Sequence, residues 1–215
     1  MKIKSGQTRN RLSQLLYMLS LAFLGLGLFI LGWAVWPTPT DAVQINIPAG
    51  QLPGAPEGSS FASLSDYALN ISWPRWIRRN EVDLIHLRLT DLDQASFPGV
   101  ETRRAQIVLV EPALYPLQIT PPGSMQANLG DDQELTLTWE VTGTSQGDYP
   151  GKMFVSFGFY DEAREDLVSI PVAVVDLHIR VIELWGLESG MVIWVGMVGL
   201  VLWGALFLLG RVAAG

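Results

Sequence analysis

Chemistry in this chain would have to start from two histidines, His86 and His178, which sit in matching settings: Ile85-His-Leu-Arg88 and Leu177-His-Ile-Arg180. In a strand, residues two apart share a face, so each segment presents His and Arg together. If the two strands were neighbours, two imidazoles and two guanidiniums would gather into an anion site. If they are not, both are simply solvated strand faces. The absence of cysteine excludes thiol catalysis and thiolate metal sites. Two histidines without carboxylates beside them make a poor zinc site. Asp131-Asp132-x-Glu134 and Asp161-Glu162 offer oxygen ligands for a hard cation, or are charged turns in water; neither has the length or glycine spacing of a calcium loop. No serine lies in a Gly-x-Ser-x-Gly frame, and no glycine loop is built to cradle phosphate. The expectation is a protein that is not an enzyme and carries no cofactor or metal.

Two other constellations point to binding. Trp73-Pro-Arg75-Trp76-Ile-Arg78-Arg79 places two tryptophans and three arginines within seven residues, types that grip protein partners or rest on lipid headgroups. The alternative puts Trp73 and Ile77 in a core and lets the arginines answer an acidic domain. The second constellation is glycine. Gly25 and Gly32 lie seven apart in one apolar stretch, and Gly196, Gly199 and Gly204 mark another. Small residues let helix backbones approach, so these stripes are candidates for packing the two stretches together or against a partner's helix.

The elements that must position these residues divide by charge and hydropathy. Residues 12–40 contain no charge, and Leu15–Trp36 holds eight Leu, two Phe, one Ile and one Val. On an insertion scale these favour the membrane by about 4–7 kcal/mol before glycine penalties. A cleaved signal peptide would have a shorter apolar region, and this one ends in Trp33-Ala-Val-Trp36-Pro37, which reads as an interfacial anchor. A second uncharged run lies between Glu188 and Arg211, again long enough for a hydrocarbon core of about 30 Å. Lys2, Lys4, Arg9 and Arg11 precede the first run and Arg211 follows the second, so both termini are expected in the cytoplasm of a two-pass plasma-membrane protein. Residues 37–188 hold all 21 acids against nine Lys and Arg, a formal charge of −12. Such a segment repels phosphate backbones and argues against nucleic-acid binding.

The expected organisation is a basic tail over 1–12, a transmembrane helix over 13–36, a Pro/Gly-rich linker over 37–66, a β domain over 67–187, a second transmembrane helix over 189–210 and a short tail over 211–215. Within the linker only Ala42-Val-Gln-Ile-Asn-Ile47 has strand character. Beyond it, strands are expected at Tyr67–Trp73, Glu81–Thr90, Arg104–Glu111, Leu114–Ile119, Leu135–Val141, Lys152–Tyr160 and Leu167–Leu184. Leu135, Leu137, Trp139 and Val141 should point inward. Turn signals every 8–15 residues and the lack of any helix-period stretch indicate a disulfide-free two-sheet sandwich.

The order Trp73-Pro-x-x-Ile77-x-x-Asn80-Glu81-x-x-x-Ile85, then Leu137-Thr-Trp-Glu-Val141, then Gly147-x-Tyr149 resembles bacterial membrane-anchored immunoglobulin-like sandwich domains. The resemblance covers about 115 residues and lacks the usual cysteine pair. It implies that the Tyr149 hydroxyl caps backbone at a sheet-to-sheet crossing, the tyrosine corner of that fold. The fold class expected is therefore a mixed membrane protein: an all-β immunoglobulin-like sandwich outside the cell, flanked by two transmembrane α-helices. The function expected is a non-enzymatic module that binds or positions a protein or envelope component, with the lipid bilayer as its other partner. The alternative is an accessory subunit of a membrane enzyme or transporter, held through its helices.

Overall fold

A computed structural model describes residues 5–48, 50–52, 62–63, 66–92, 107–128, 134–161 and 166–214. The chain divides into two compact units, Met1–Pro37 with Glu183–Gly215, and Thr38–Ile182.

The first unit is a pair of helices, α1 (Ser5–Val35) and α2 (Ser189–Ala214). Within them, Ser13–Val35 and Gly190–Val212 are each long and apolar enough to cross a membrane. Contacts run antiparallel, with Leu31 against Gly196, Gly27 against Gly199, and Tyr17 against Gly210. The residues of α1 buried in this seam include Ser13, Ser20 and Gly27, seven apart, the repeat that keeps one face of a helix against a partner. Ser20 satisfies its hydroxyl locally by donating to the Tyr17 carbonyl at 2.8 Å. Elsewhere the pair is apolar but uncovered: Leu15, Met18, Phe29, Trp194, Val201 and Leu208 are all exposed.

The second unit is mostly β-sheet. Its principal strands are β1 (Thr40–Ile47), β4 (Tyr67–Pro74), β5 (Trp76–Arg78), β6 (Val82–Asp91), β7 (Ile107–Ala113), β8 (Gln118–Thr120), β9 (Met125–Asn128), β10 (Glu134–Thr142), β11 (Gly147–Asp161) and β12 (Asp166–Ile182). β2 (Gly50–Gln51) and β3 (Ala62–Ser63) form a small ribbon of their own. One sheet runs β1-β4-β6-β10-β8 and the other β5-β12-β11-β7-β9. Strand alternation explains the core. Ile85, Leu87 and Leu89 of β6 point inward, as do Leu137, Trp139 and Val141 of β10, and Met153, Val155, Phe157 and Phe159 of β11. These residues and the inward side chains of β4, β7 and β12 form one buried cluster drawn from both sheets.

The structure corrects several expectations. The β unit starts at Thr38, not at Tyr67: β1 pairs with β4 along its whole length, Thr40 with Pro74 through Ile47 with Tyr67. Ile47 and Leu52, inside the stretch read as a linker, belong to the core. The alternation of Val43, Ile45 and Ile47 is sufficient to dock a strand on an open edge despite the prolines around it. Leu114–Ile119 is a turn that becomes the short β8 only at Gln118, and β11 begins at Gly147, before the expected Lys152. Of the β12 reading, Leu167–Ile182 is strand and Leu184 belongs to a turn.

Candidate interaction surface

The Trp73–Arg79 segment is where one strand changes sheets. β4 ends at Pro74 in the first sheet and β5 resumes at Trp76 in the second, where it runs parallel to β12 with Arg180 opposite Trp76 and Ile182 opposite Arg78. At this switch the backbone is tied to both ends of the β unit. The Arg75 N–H donates to the Pro39 carbonyl at 2.8 Å, and the Arg79 N–H to the Ile182 carbonyl at 2.9 Å. The Arg180 N–H returns a bond to the Arg75 carbonyl at 3.1 Å, and the Asn80 N–H bonds the Gly143 carbonyl at 2.8 Å. The segment is thus a clasp joining the chain's entry to the sheets with its exit.

Its side chains serve the same clasp. Trp73 and Ile77 are buried in the core. Arg78 is 3% exposed, bonds the Glu81 carboxylate at 3.0 Å, and lies over the Trp76 ring at 5.2 Å from its centroid. Arg79 donates from Nε to the Thr144 carbonyl at 2.9 Å. Arg75 reaches across to Asp41 of β1 at 2.6 Å. Of the five residues singled out, Arg75, Trp76 and Arg79 stay at the surface, whereas Trp73 and Arg78 are inside and unavailable to a partner.

The two histidine segments do not meet. His86 and Arg88 lie on β6 of one sheet, His178 and Arg180 on β12 of the other, so no joint anion site forms. His86 Nδ1 lies 3.1 Å from the Thr138 hydroxyl, and Arg88 is paired with Glu134 at 2.6 Å. Glu134 is the part of the Asp131–Glu134 cluster inside the described residues, and it is committed to that pair. Arg180 is paired with Asp148 at 2.6 Å. The Arg75 hydrogen bond holds the Asp41 carboxyl below the usual carboxylate range, and Arg180 does the same for Asp148. Among the described residues no group of three or more His, Asp or Glu is placed to hold a metal ion.

What the sequence reading overlooked is the outward face of the β11–β12 hairpin. Directly opposed pairs climb it in order: Asp148 with Arg180, Pro150 with His178, Lys152 with Asp176, and Phe154 with Val174. The first and third are ion pairs, with Lys152 3.0 Å from Asp176. Pro150, Gly151, Lys152, Asp176, Leu177 and His178 line a shallow depression of about 340 Å³. Above it, Phe154 is 40% and Val174 51% exposed, an apolar pair on a polar face. The signal was available: with Met153, Val155 and Phe157 inward, alternation puts Phe154 outward beside Lys152 and Ser156.

At the start of β11, the Tyr149 hydroxyl donates to the Ser145 carbonyl at 2.7 Å. This is the backbone bond, a few residues upstream, that the resemblance implied.

The glycines also separate. A Cβ on Gly196 would meet Leu31, and one on Gly199 would meet Gly27, so both lie in the helix seam. Gly25, Gly32 and Gly204 have open space where a Cβ would stand. The glycine of α1 that makes the close approach is Gly27, whose Cβ would lie 3.1 Å from the Gly196 carbonyl.

No protein-family model matches the chain, and no curated protein does. Among solved structures it is similar to the CARDB domain of the PF1109 protein from Pyrococcus furiosus, crystallised in complex with di-metal ions, at 18% identity and a TM-score of 0.31 over 51% of this chain and 81% of that one. The ASH/PapD-like domain 7 of human CEP192 has 12% identity and a TM-score of 0.31, over 51% and 82%. The Yersinia pseudotuberculosis adhesin InvE has 9% identity and a TM-score of 0.23, over 68% and 49%. Two of these three are thus domains of the CARDB and PapD-like kind, at low identity.

Proposed function

We propose that the chain is a two-pass membrane protein that holds an immunoglobulin-like sandwich on the outer side of the bilayer as a non-enzymatic interaction module. The observation that carries this is the pairing of two membrane-length helices whose outward surfaces are largely apolar. Only 17% of each span is buried against protein, which suits lipid and not water. Lys2, Lys4, Arg9, Arg11 and Arg211 then face the cytoplasm, and Thr38–Ile182 lies outside. The sandwich reading is supported by strand order. β4-β6-β10-β8 and β12-β11-β7 follow the two sheets of the immunoglobulin plan, with β5 switching sheets to run parallel to the last strand and Tyr149 capping at the start of β11.

The interaction role rests on the Phe154–Val174 pair, flanked by Lys152–Asp176 and exposed on the paired β11–β12 hairpin. Phenylalanine is among the residues enriched at the core of protein interfaces. The test is mild-detergent purification from native membranes with mass spectrometry of what accompanies the protein. Phe154→Glu should deplete the recovered partner while leaving the melting temperature unchanged. Equal recovery from both forms would remove this surface from consideration.

A second reading, an accessory subunit held through its helices, is favoured by Gly25 and Gly32, which share one open face of α1. Replacing both helices by unrelated spans should spare partner recovery under the first reading and abolish it under the second.

A further inference from the structure

The connection between β12 and α2 is a formed turn. The Leu187 N–H donates to the Leu184 carbonyl at 3.0 Å, and the two central residues, Trp185 and Gly186, both adopt left-handed backbone, with φ of 53° and 75°. Positive φ at both central positions is the type I′ pattern, which favours Asn-Gly. A tryptophan there is an outlier for a bulky side chain. Burial does not explain it, because Trp185 is 67% exposed. The turn projects the largest apolar side chain into the surroundings from a position that a small polar residue would fill with less strain.

The rest of the helix unit identifies those surroundings. In the antiparallel register, with Leu31 at Gly196 and Tyr17 at Gly210, Trp33 stands level with Trp194, and Trp36 lies about one turn beyond. Trp36 is 66% and Trp194 70% exposed. At 1.5 Å per residue, this tryptophan level is roughly 33 Å from Arg11 on α1 and roughly 26 Å from Arg211 on α2, which brackets a hydrocarbon core. The turn begins before α2, outside the Trp194 level. Tryptophan belts occupy the lipid headgroup layer, where an apolar ring and an N–H donor both find partners.

We infer that the Leu184–Leu187 turn is a lipid-interface anchor that seats Trp185 in the glycerol and headgroup layer of the outer leaflet, above the Trp33–Trp194 level. The anchor rests on the two-pass reading and adds to it a site for lipid: Trp185, with Trp36 and Trp194 on the helices, recognises the interfacial layer, and the left-handed backbone fixes the ring's height.

The experiment uses the full chain in phosphatidylcholine vesicles brominated either near the glycerol end or near the methyl end of the acyl chains. The emission of Trp185 is the difference between wild type and Trp185→Asn, a residue the turn accepts; Trp185→Gly supplies an independent difference. Shallow bromines should quench that difference emission at least about twofold more than deep ones. Quenching that is absent, or stronger from the deep position, overturns the inference. Alkaline carbonate extraction of the same samples separates this from the parent reading. Protein retained in the vesicle pellet with Trp185 unquenched sinks the anchor alone, whereas protein released into the supernatant sinks the two-pass reading as well.

Discussion

Arg78 offers the sharpest test of the clasp, because its charge and its volume can be removed separately. Arg78→Met keeps most of the buried stem and deletes the guanidinium. The Glu81 pair is lost, but the Glu81 side chain is 36% exposed, so solvent already screens it and the loss is about 0.2–1 kcal/mol. The contact over Trp76 contributes about 0.5–1 kcal/mol more. Against both stands the relief of no longer desolvating a cation in a site only 3% exposed. The net cost of Met is about 0–1 kcal/mol. Arg78→Ala loses the same interactions and leaves a cavity beneath Trp76, bringing the cost to about 2–4 kcal/mol. For a unit the size of Thr38–Ile182, the gap between variants should appear as roughly 5–10 °C in Tm. Tryptophan emission of the full chain in detergent micelles reads this unfolding, since Trp139 and Trp73 lie in the core. Hydrogen exchange locates it: the amides of Arg75, Arg79 and Arg180, which tie the entry and exit strands, should lose protection in the Ala variant and keep it in Met. Met as costly as Ala would refute the reasoning, because the charge and not the packed stem would then hold the clasp. Unchanged protection at the three amides in Ala would refute it from the other side.

Two further predictions follow from the seam and the surface pairs. Gly27→Leu should sharply reduce cross-linking between cysteines placed at Tyr17 and Phe207, whose rings are 5.7 Å apart, because its side chain must displace the Gly196 backbone and Leu200; Gly25→Leu, which points into open space, should leave cross-linking intact. Acid should separate the wild type from Asp41→Asn/Asp148→Asn: folded-state carboxyls held below the ordinary value contribute stability above about pH 3.9 and lose it as pH falls through their lower folded values, so wild-type Tm should drop more steeply below about pH 4. Parallel Tm curves for the two proteins would contradict the pairing with Arg75 and Arg180.

Legibility in the sequence tracked how strongly each element is amphipathic. β6 and β10 alternate cleanly, and the inward residues of β10 could be named in advance, although Leu135 proved only half-buried. The helices declared themselves by the absence of charge. β1 showed its strand character at Ala42–Ile47, but Pro37, Pro39 and Pro48 bracket it and composition averaged over such a stretch reads as coil, so its pairing with β4 was missed although six alternating residues suffice for an edge strand. The clasp was hidden for a different reason. Arginines in a short run look like a surface patch, and only the sheet switch at Pro74–Arg75 reveals that Arg78 turns inward while Arg75 and Arg79 turn to Asp41 and Thr144. The histidine pair failed on topology, since β6 and β12 belong to different sheets whatever their local likeness. Glycine carries no hydropathic phase of its own, so spacing alone pointed to Gly25 and Gly32. The informative pattern was Ser13, Ser20 and Gly27, in which a polar pair marks the face that packs.

The central claim, a β unit outside the cell between two spanning helices, is tested most directly by cysteine accessibility. The chain has no cysteine, so single substitutions at Ser5, Ser156 and Ala214 report without background. A membrane-impermeant maleimide added to intact spheroplasts should label the Ser156→Cys protein fully and the two terminal variants only after lysis. Labelling of either terminus in intact spheroplasts, or protection of position 156, would contradict the account.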